Sequence, residues 1–319
     1  MKIITEQQIR SLAITPRQCV EWIHESFAMK HEAQLPAKIS VHPADYDFFT
    51  SMPCLLPDNG GDIRFFGIKE VHRIEGAVPS LGSDIMLYNA KNGELLALMD
   101  GDWITTMRTG AVAAASAKAL RKSNASVYGF VGLGNTARAS LLCSLEAEPE
   151  KQFKVKLLRY KNQAEQFIAR FTDYANVDFE IVDSISELAQ TVDVFISCIT
   201  SANGLLVEDE KIFQPGVTVI PVHMRGLQNC DTTFDRVFGD DTDHVKGFKY
   251  FSQFRDYNEI GEVLSGRDPG RKSDKQRILD YNYGLALHDI VFASKLYEAL
   301  INTDTINIPI HKETDKFWI

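Results

Sequence analysis

Apolar and polar residues follow one rhythm over the first third of this chain and another over the rest. Residues 3–34 predict a short strand and then a helix beginning at Thr15-Pro16, where threonine can cap and proline suits the first turn. Short β-prone runs come next at 39–43, 48–57, 63–73, 83–90 and 94–101, separated by Pro, Gly and Asn-Gly punctuation. Strands that succeed one another without helices between them predict an antiparallel or mixed sheet, so this region reads as an α+β domain. The alanine-rich segment 105–122 predicts a helix joining this region to the rest of the chain. From residue 126 the period changes. Strands at 126–133, 154–160, 179–183, 192–199 and 217–222 are separated in turn by helices at 137–145, 163–171 and 184–190, the signature of a parallel α/β sheet. A helix with a long apolar face spans 288–302, and the tail 305–319 holds one short β-run and a polar end.

The sharpest local signal lies where the second rhythm begins. Ser126 to Ala137 reads as an apolar strand, a G-x-G-x-x-A turn and a helix start, which together can hold a dinucleotide pyrophosphate. Gly132 suits the tight turn, Gly134 lets the backbone approach phosphate, and Ala137 lets helix and strand pack closely. Leu133, Asn135 and Thr136 complete the loop, whose amides and helix dipole face the anion. The next strand ends Leu158-Arg159-Tyr160-Lys161 with no acid to accept from a ribose 2′-hydroxyl. Arg159 and Lys161 are suited instead to a 2′-phosphate, which favours NADP over NAD. Cys198-Ile199-Thr200, after a later strand, falls at the carboxyl edge of the sheet, where a dinucleotide is contacted. No base is in view to activate Cys198, so it reads as a wall of the cofactor pocket.

Composition narrows the partners. A net charge of -9 offers no general attraction to nucleic acid or to anionic membranes, and a small metabolite is the expected partner. No apolar run approaches the ~20 residues of a membrane span, and MKIITEQQIR lacks the pattern of a signal peptide, so a cytoplasmic location is expected. Five scattered cysteines without a C-x-x-C pair predict reduced thiols. Histidines without ligand spacing predict no metal site.

Several runs together resemble the ornithine cyclodeaminase and mu-crystallin family: Gly67 to Val71, Thr106 to Ala111, the glycine turn, Glu259 to Arg271 (E-I-G-E-V-L-S-G-R-D-P-G-R) and Tyr283 to Asp289. The resemblance covers nearly the whole chain. It implies a homodimer with a substrate-binding and dimerisation domain built from both chain ends, 1–122 plus 290–319, and a Rossmann NAD(P)-binding domain over 123–289. It also implies hydride transfer between nicotinamide and the α-carbon of an amino or imino acid. Arg108, in a small-residue helix at the domain junction, suits a bidentate grip on an α-carboxylate, and by similarity it takes that role. Lys69, by the same similarity, lies beside the substrate as carboxylate partner or acid/base. Two departures bear on the substrate. Lys38 stands where cyclodeaminases usually have an arginine, and it attracts a carboxylate without the planar fork. His223 stands nearest an expected acid; an imidazole does not anchor a distal ammonium but is suited to shuttling a proton. The reading is therefore an NAD(P)-dependent oxidoreductase on a C–N bond, with a cyclodeaminase proper and a catalytically silent NADPH binder as alternatives.

Overall fold

The structure is a computed structural model that describes residues 1–200, 202–223, 226–310 and 313–318. Its strands are β1 (Lys2–Ile4), β2 (Ile39–Val41), β3 (Phe48–Leu55), β4 (Phe65–Arg73), β5 (Leu81–Asn89), β6 (Glu94–Asp100), β7 (Val127–Val131), β8 (Phe153–Leu158), β9 (Val177–Val182), β10 (Val194–Ser197), β11 (Thr218–Pro221), β12 (Arg236–Gly239), β13 (Asn258–Glu259), β14 (Ile278–Tyr281) and β15 (Ile306–Asn307). Its α-helices are α1 (Glu6–Ser11), α2 (Pro16–Ala28), α3 (Asp102–Leu120), α4 (Asn135–Ala147), α5 (Gln163–Ile168), α6 (Ile185–Thr191), α7 (Thr242–Val245), α8 (Ile260–Leu264) and α9 (Ala286–Leu300). None of these helices is long and apolar enough to cross a membrane.

The chain divides into two compact units. One comprises Met1–Ile14, Glu32–Thr105 and Asp289–Ile319, the other Thr15–His31 and Thr106–His288. Both chain ends thus fall in the first unit, while α2 and most of α3 group with the second instead of with residues 1–122.

The first unit is a seven-stranded mixed sheet in the order β15-β1-β6-β5-β4-β3-β2. Strands β2 to β6 form an antiparallel meander, and β1 joins β6 in parallel. Alternation puts Met52, Cys54, Phe65, Ile85, Leu87 and Met99 on a buried face. The last helix contributes to this core, with Tyr297 edge-on to Phe65 at 6.1 Å between ring centroids. The other face is also apolar. In cross-strand register Pro53, Ile68, Met86 and Leu98 form one row, and Leu55 and Phe66 begin a second. These side chains are left half-buried or exposed.

The second unit is an eight-stranded, all-parallel sheet in the order β13-β12-β14-β11-β10-β7-β8-β9. The chain runs outward from β7 to β9 and then returns to the other side of β7 as β10. The order therefore reverses between β7 and β10, the place where open parallel sheets hold ligands. The core packs from β7, β8, α4 and α5 through Phe130, Phe153, Leu141 and Phe167. Helix α2 starts where the sequence predicts. The Thr15 side chain accepts from the Gln18 amide, the Gln18 side chain accepts from the Thr15 amide, and Pro16 occupies the first turn. Helix α1 and strands β12, β13 and β14 lie outside the predicted elements, since each is six residues or fewer and the buried strands carry Arg236 and Asp280 among their apolar positions.

Candidate active site

The glycine turn is built as its sequence demands. Gly132 has φ +78°, and a β-carbon there would come within 2.7 Å of the carbonyl carbon and oxygen of Cys198 and of the Ile199 amide. A side chain at this position would collide with backbone at the point where β7 and β10 diverge. Gly134 precedes α4, meets nothing within 4 Å of an added β-carbon, and leaves the first turn of the helix without a side-chain cap. Uncapped amides opening onto free space are what a pyrophosphate needs. Leu133 and Ala137 are buried in the core, so only the Leu133 backbone faces the turn, whereas Asn135 is exposed and Thr136 half-buried.

The loop after β8 carries Arg159, Tyr160 and Lys161 at the surface. Lys161 has φ +51°, and its ammonium lies 5.3 Å from the Tyr160 ring centroid. Arg159 is engaged already: its Nε meets Asp183 at 2.6 Å and its Nη1 meets Glu165 at 2.9 Å. Asp183, the residue after β9, thus supplies an acidic partner for Arg159. Reading one strand at a time does not find Asp183, because the pairing of β8 with β9 brings it there.

At the carboxyl end of β10, the buried Ser197 hydroxyl lies 2.7 Å from His223 Nε2. His223 follows β11, so adjacent strands place the two side by side. Burial pushes the Cys198 thiol up to about 12, with a Ser140 hydrogen bond pulling the other way, and at neutral pH it is no nucleophile.

Lys69 departs furthest from the pattern around it. It sits on β4 between Met52 and Ile85 in the ladder, on the buried face, with 0% exposure. An ammonium there is tolerated only if paired, and Nζ meets Oδ2 of the equally buried Asp289 at 2.7 Å. The Asp289 carboxylate offsets the desolvation of the ammonium at this position. Asp289 opens the first-unit portion of α9, and the sequence alone does not pair it with Lys69. Lys38 lies half-buried just before β2, whose Ile39 pairs with Ser51, the neighbour of Met52.

Arg108 projects from α3 and is 6% exposed. Its guanidinium lies against Gly284, where an added β-carbon would come within 2.5 Å of Nη1. The Gly284 amide donates to the buried Asp240 carboxylate in a short hydrogen bond. Nearby polar groups come from the same strand ends. Asn282 donates to Asp280 at 2.9 Å and to Ser116 at 3.4 Å, and His244 Nδ1 stands 3.5 Å from Asp240.

Burial, reinforced by the Asp240 charge, pushes the Asp280 carboxyl up from 3.8 to about 7 against the pull of its Ser116 and Asn282 hydrogen bonds. The folded protein therefore keeps a proton that the unfolded chain releases, and this group's contribution to stability falls as pH rises between the two values. The full loss is at most about 4 kcal/mol. Asp280→Asn should accordingly gain urea resistance relative to the parent protein between pH 5 and pH 8. Parallel urea midpoints at the two pH values would exclude titration of Asp280.

The long E-I-G-E-V-L-S-G-R-D-P-G-R run has a structural task. Glu259 pairs with Lys30 at 2.5 Å, Asp268 pairs with buried Arg236 at 2.5 Å, and Arg271 donates to the carbonyls of Leu120, Val217 and Gln276.

A Rossmann-type nucleotide unit joined to a mixed-sheet unit that buries a lysine defines the class: a two-unit α/β protein with a dinucleotide-type turn. The family model for the ornithine cyclodeaminase/mu-crystallin family matches residues 2–304, and the chain belongs to that family. The chain is similar to alanine dehydrogenase of Archaeoglobus fulgidus, 26% identical over 316 residues, covering 93% of this chain and 94% of that one. Its fold is similar to that of Thermococcus litoralis Delta(1)-pyrroline-2-carboxylate reductase in complex with NADH and L-proline, with TM-score 0.83 at 22% identity over 97% of this chain and 100% of the other. An archaeal alanine dehydrogenase dimer with bound NAD matches with TM-score 0.82 at 22% identity, over 98% and 99%.

Proposed function

We propose that this protein is an NAD(P)-dependent oxidoreductase that acts on the C–N bond of a small amino or imino acid. The observation that carries this reading is Lys69, a fully buried ammonium paired with Asp289 on a sheet face whose other buried residues are uncharged. Packing gives no reason for a charge there, and binding an anion does. The pyrophosphate is held by the Gly132 to Ala137 backbone at the start of α4, with Cys198, Ile199 and Thr200 along the neighbouring strand end. A nicotinamide bound there would supply hydride exchange with the α-carbon of an amino acid or its imine. Arg108 grips the α-carboxylate through its planar fork, and by similarity to the family Lys69 and Lys38 are further basic residues assigned to the substrate. His223, hydrogen-bonded to Ser197, moves a proton to or from the substrate nitrogen. An imidazole in place of a carboxylate leaves nothing there to fix a distal ammonium, so ornithine cyclodeamination is the weaker reading. A family that includes alanine dehydrogenase and an imine reductase among this chain's relatives supports the same class of chemistry.

The assay is direct. Purified protein is offered NADH and NADPH with Delta(1)-pyrroline-2-carboxylate or with pyruvate plus ammonia, and separately NAD with L-proline, L-alanine or ornithine. Net change in nicotinamide absorbance with an imino or keto acid is the expected result. Ammonia release from ornithine without that change would instead establish the cyclodeaminase, and cofactor binding without any turnover would establish the silent binder.

The cofactor reading favours NADP, through Arg159 and Lys161. Exposed ion pairs are weak, so a dianionic 2′-phosphate competes well with Asp183 and Glu165 for Arg159. Arg159→Ala should raise KM for NADPH about tenfold and leave KM for NADH within about twofold. Equal changes for the two cofactors would remove Arg159 from phosphate recognition.

The partly exposed apolar row Pro53, Ile68, Met86 and Leu98 is the surface through which two copies would form the homodimer. Ile68→Asp should give a monomer in light scattering after gel filtration; an unchanged mass would move the interface elsewhere.

A further inference from the structure

We infer that Gly284 and Asp240 are positioning residues that hold the Arg108 guanidinium in place, an inference that rests on the proposal that Arg108 grips the substrate carboxylate. Three observations in the second unit converge on it. First, the guanidinium is laid across the Gly284 backbone: a β-carbon at 284 would come within 2.5 Å of Nη1, 3.1 Å of Nη2 and 3.2 Å of Cζ. All of these atoms belong to the planar fork, so any side chain at 284 displaces the group that would form the bidentate contact. Second, Gly284 has φ +91°, a left-handed conformation that other residues adopt only under strain. Third, the Gly284 amide donates to Asp240, a carboxylate with 0% exposure at the carboxyl end of β12.

Asp240 is itself tied down, because its own amide donates to the Tyr281 carbonyl at 3.1 Å at the end of β14. The turn beneath Arg108 is therefore fastened to both of the adjacent strands β12 and β14. An arginine is flexible, and a fork held on one surface before the substrate arrives loses less freedom on binding it. The buried acid does this through the backbone of residue 284.

The test combines structure with kinetics. In a crystal structure of Gly284→Ala the guanidinium should be displaced by about 1 Å or more, in keeping with the overlap. For reduction of Delta(1)-pyrroline-2-carboxylate by NADH, or for L-alanine oxidation if that is faster, Gly284→Ala should raise KM at least about tenfold while kcat changes far less and NADH affinity, read by fluorescence, stays constant. Asp240→Ala should behave likewise, whereas Asp240→Asn, which retains an acceptor for the Gly284 amide, should stay within about threefold of the parent KM. In an Arg108→Ala background, Gly284→Ala should add less than about twofold, since the group it disturbs is gone. A guanidinium that stays put in Gly284→Ala, or effects that simply multiply with Arg108→Ala, overturns the positioning role. A displaced guanidinium with an unchanged KM overturns the carboxylate reading of Arg108, and this inference with it.

Discussion

Arg108→Ala should lower kcat/KM for the amino- or imino-acid substrate by about a hundred- to ten-thousandfold, with NAD(P)H bound as tightly as before. The size reflects the removal of two charge-assisted hydrogen bonds, each worth about 1.5–3 kcal/mol, from a side chain that is 6% exposed and set against Gly284. Most of the loss should appear in KM, because a carboxylate that takes no part in the chemistry is gripped alike in the ground and transition states. Arg108→Lys should fall between the two, keeping the charge but losing the fork. Steady-state kinetics with a parallel fluorescence titration of NADH measures both quantities. A fall in cofactor affinity together with turnover would contradict the assignment, since the glycine turn is built from other residues.

The second large effect concerns the buried pair Lys69–Asp289. Asp289→Asn removes the carboxylate charge set 2.7 Å from an ammonium with 0% exposure, and Lys69→Met removes the ammonium from an equally buried carboxylate. Each should destabilise the protein by about 3–5 kcal/mol in urea unfolding. The double replacement Lys69→Met with Asp289→Leu should recover most of that loss, since apolar groups of similar volume often replace buried ion pairs at little cost. It should nevertheless remain inactive, because the recovered stability comes without the charge that the substrate needs. A double variant that turns over substrate would show that Lys69 serves the fold alone. Cys54 offers an internal check. Burial, with the Asp289 charge adding to it, pushes its thiol up to about 12, so Cys54 should react with maleimide only when the protein unfolds, in the parent and in each variant alike.

The distribution of legible and illegible features has one physical cause. Whatever depends on neighbours along the chain is readable from the chain. The start of α2 is set by Thr15, Pro16 and Gln18 within four residues, and the meander β2 to β6 by alternation and turn chemistry. The glycine turn is likewise local: Gly132 must take a positive φ and Gly134 must leave the helix start open. Lys69 and Arg108 are also legible, through the motifs in which they stand. What their side chains face is not. Asp289 meets Lys69 from a distant part of the chain, Gly284, hydrogen-bonded to Asp240, meets Arg108 past the end of β14, and Asp183 reaches Arg159 only because β9 lies beside β8.

Strands β12 and β14 are hidden for a related reason. Four-residue runs that each carry one charged residue, Arg236 and Asp280, give a weak strand signal until the fold brings Asp268 to the first and Ser116 to the second. The conspicuous run ending Asp268-Pro269-Gly270-Arg271 identifies the family, yet its side chains fasten loops to Arg236 and to carbonyls of α3 and the β11 region. The sequence by itself determined the family, the order of most elements and the cofactor turn, because these arise from short-range backbone preferences and from periodicity. Only the tertiary structure decided which charges are paired, which are buried and which residue holds another in place, because those energies depend on desolvation and on contacts between segments far apart in the chain.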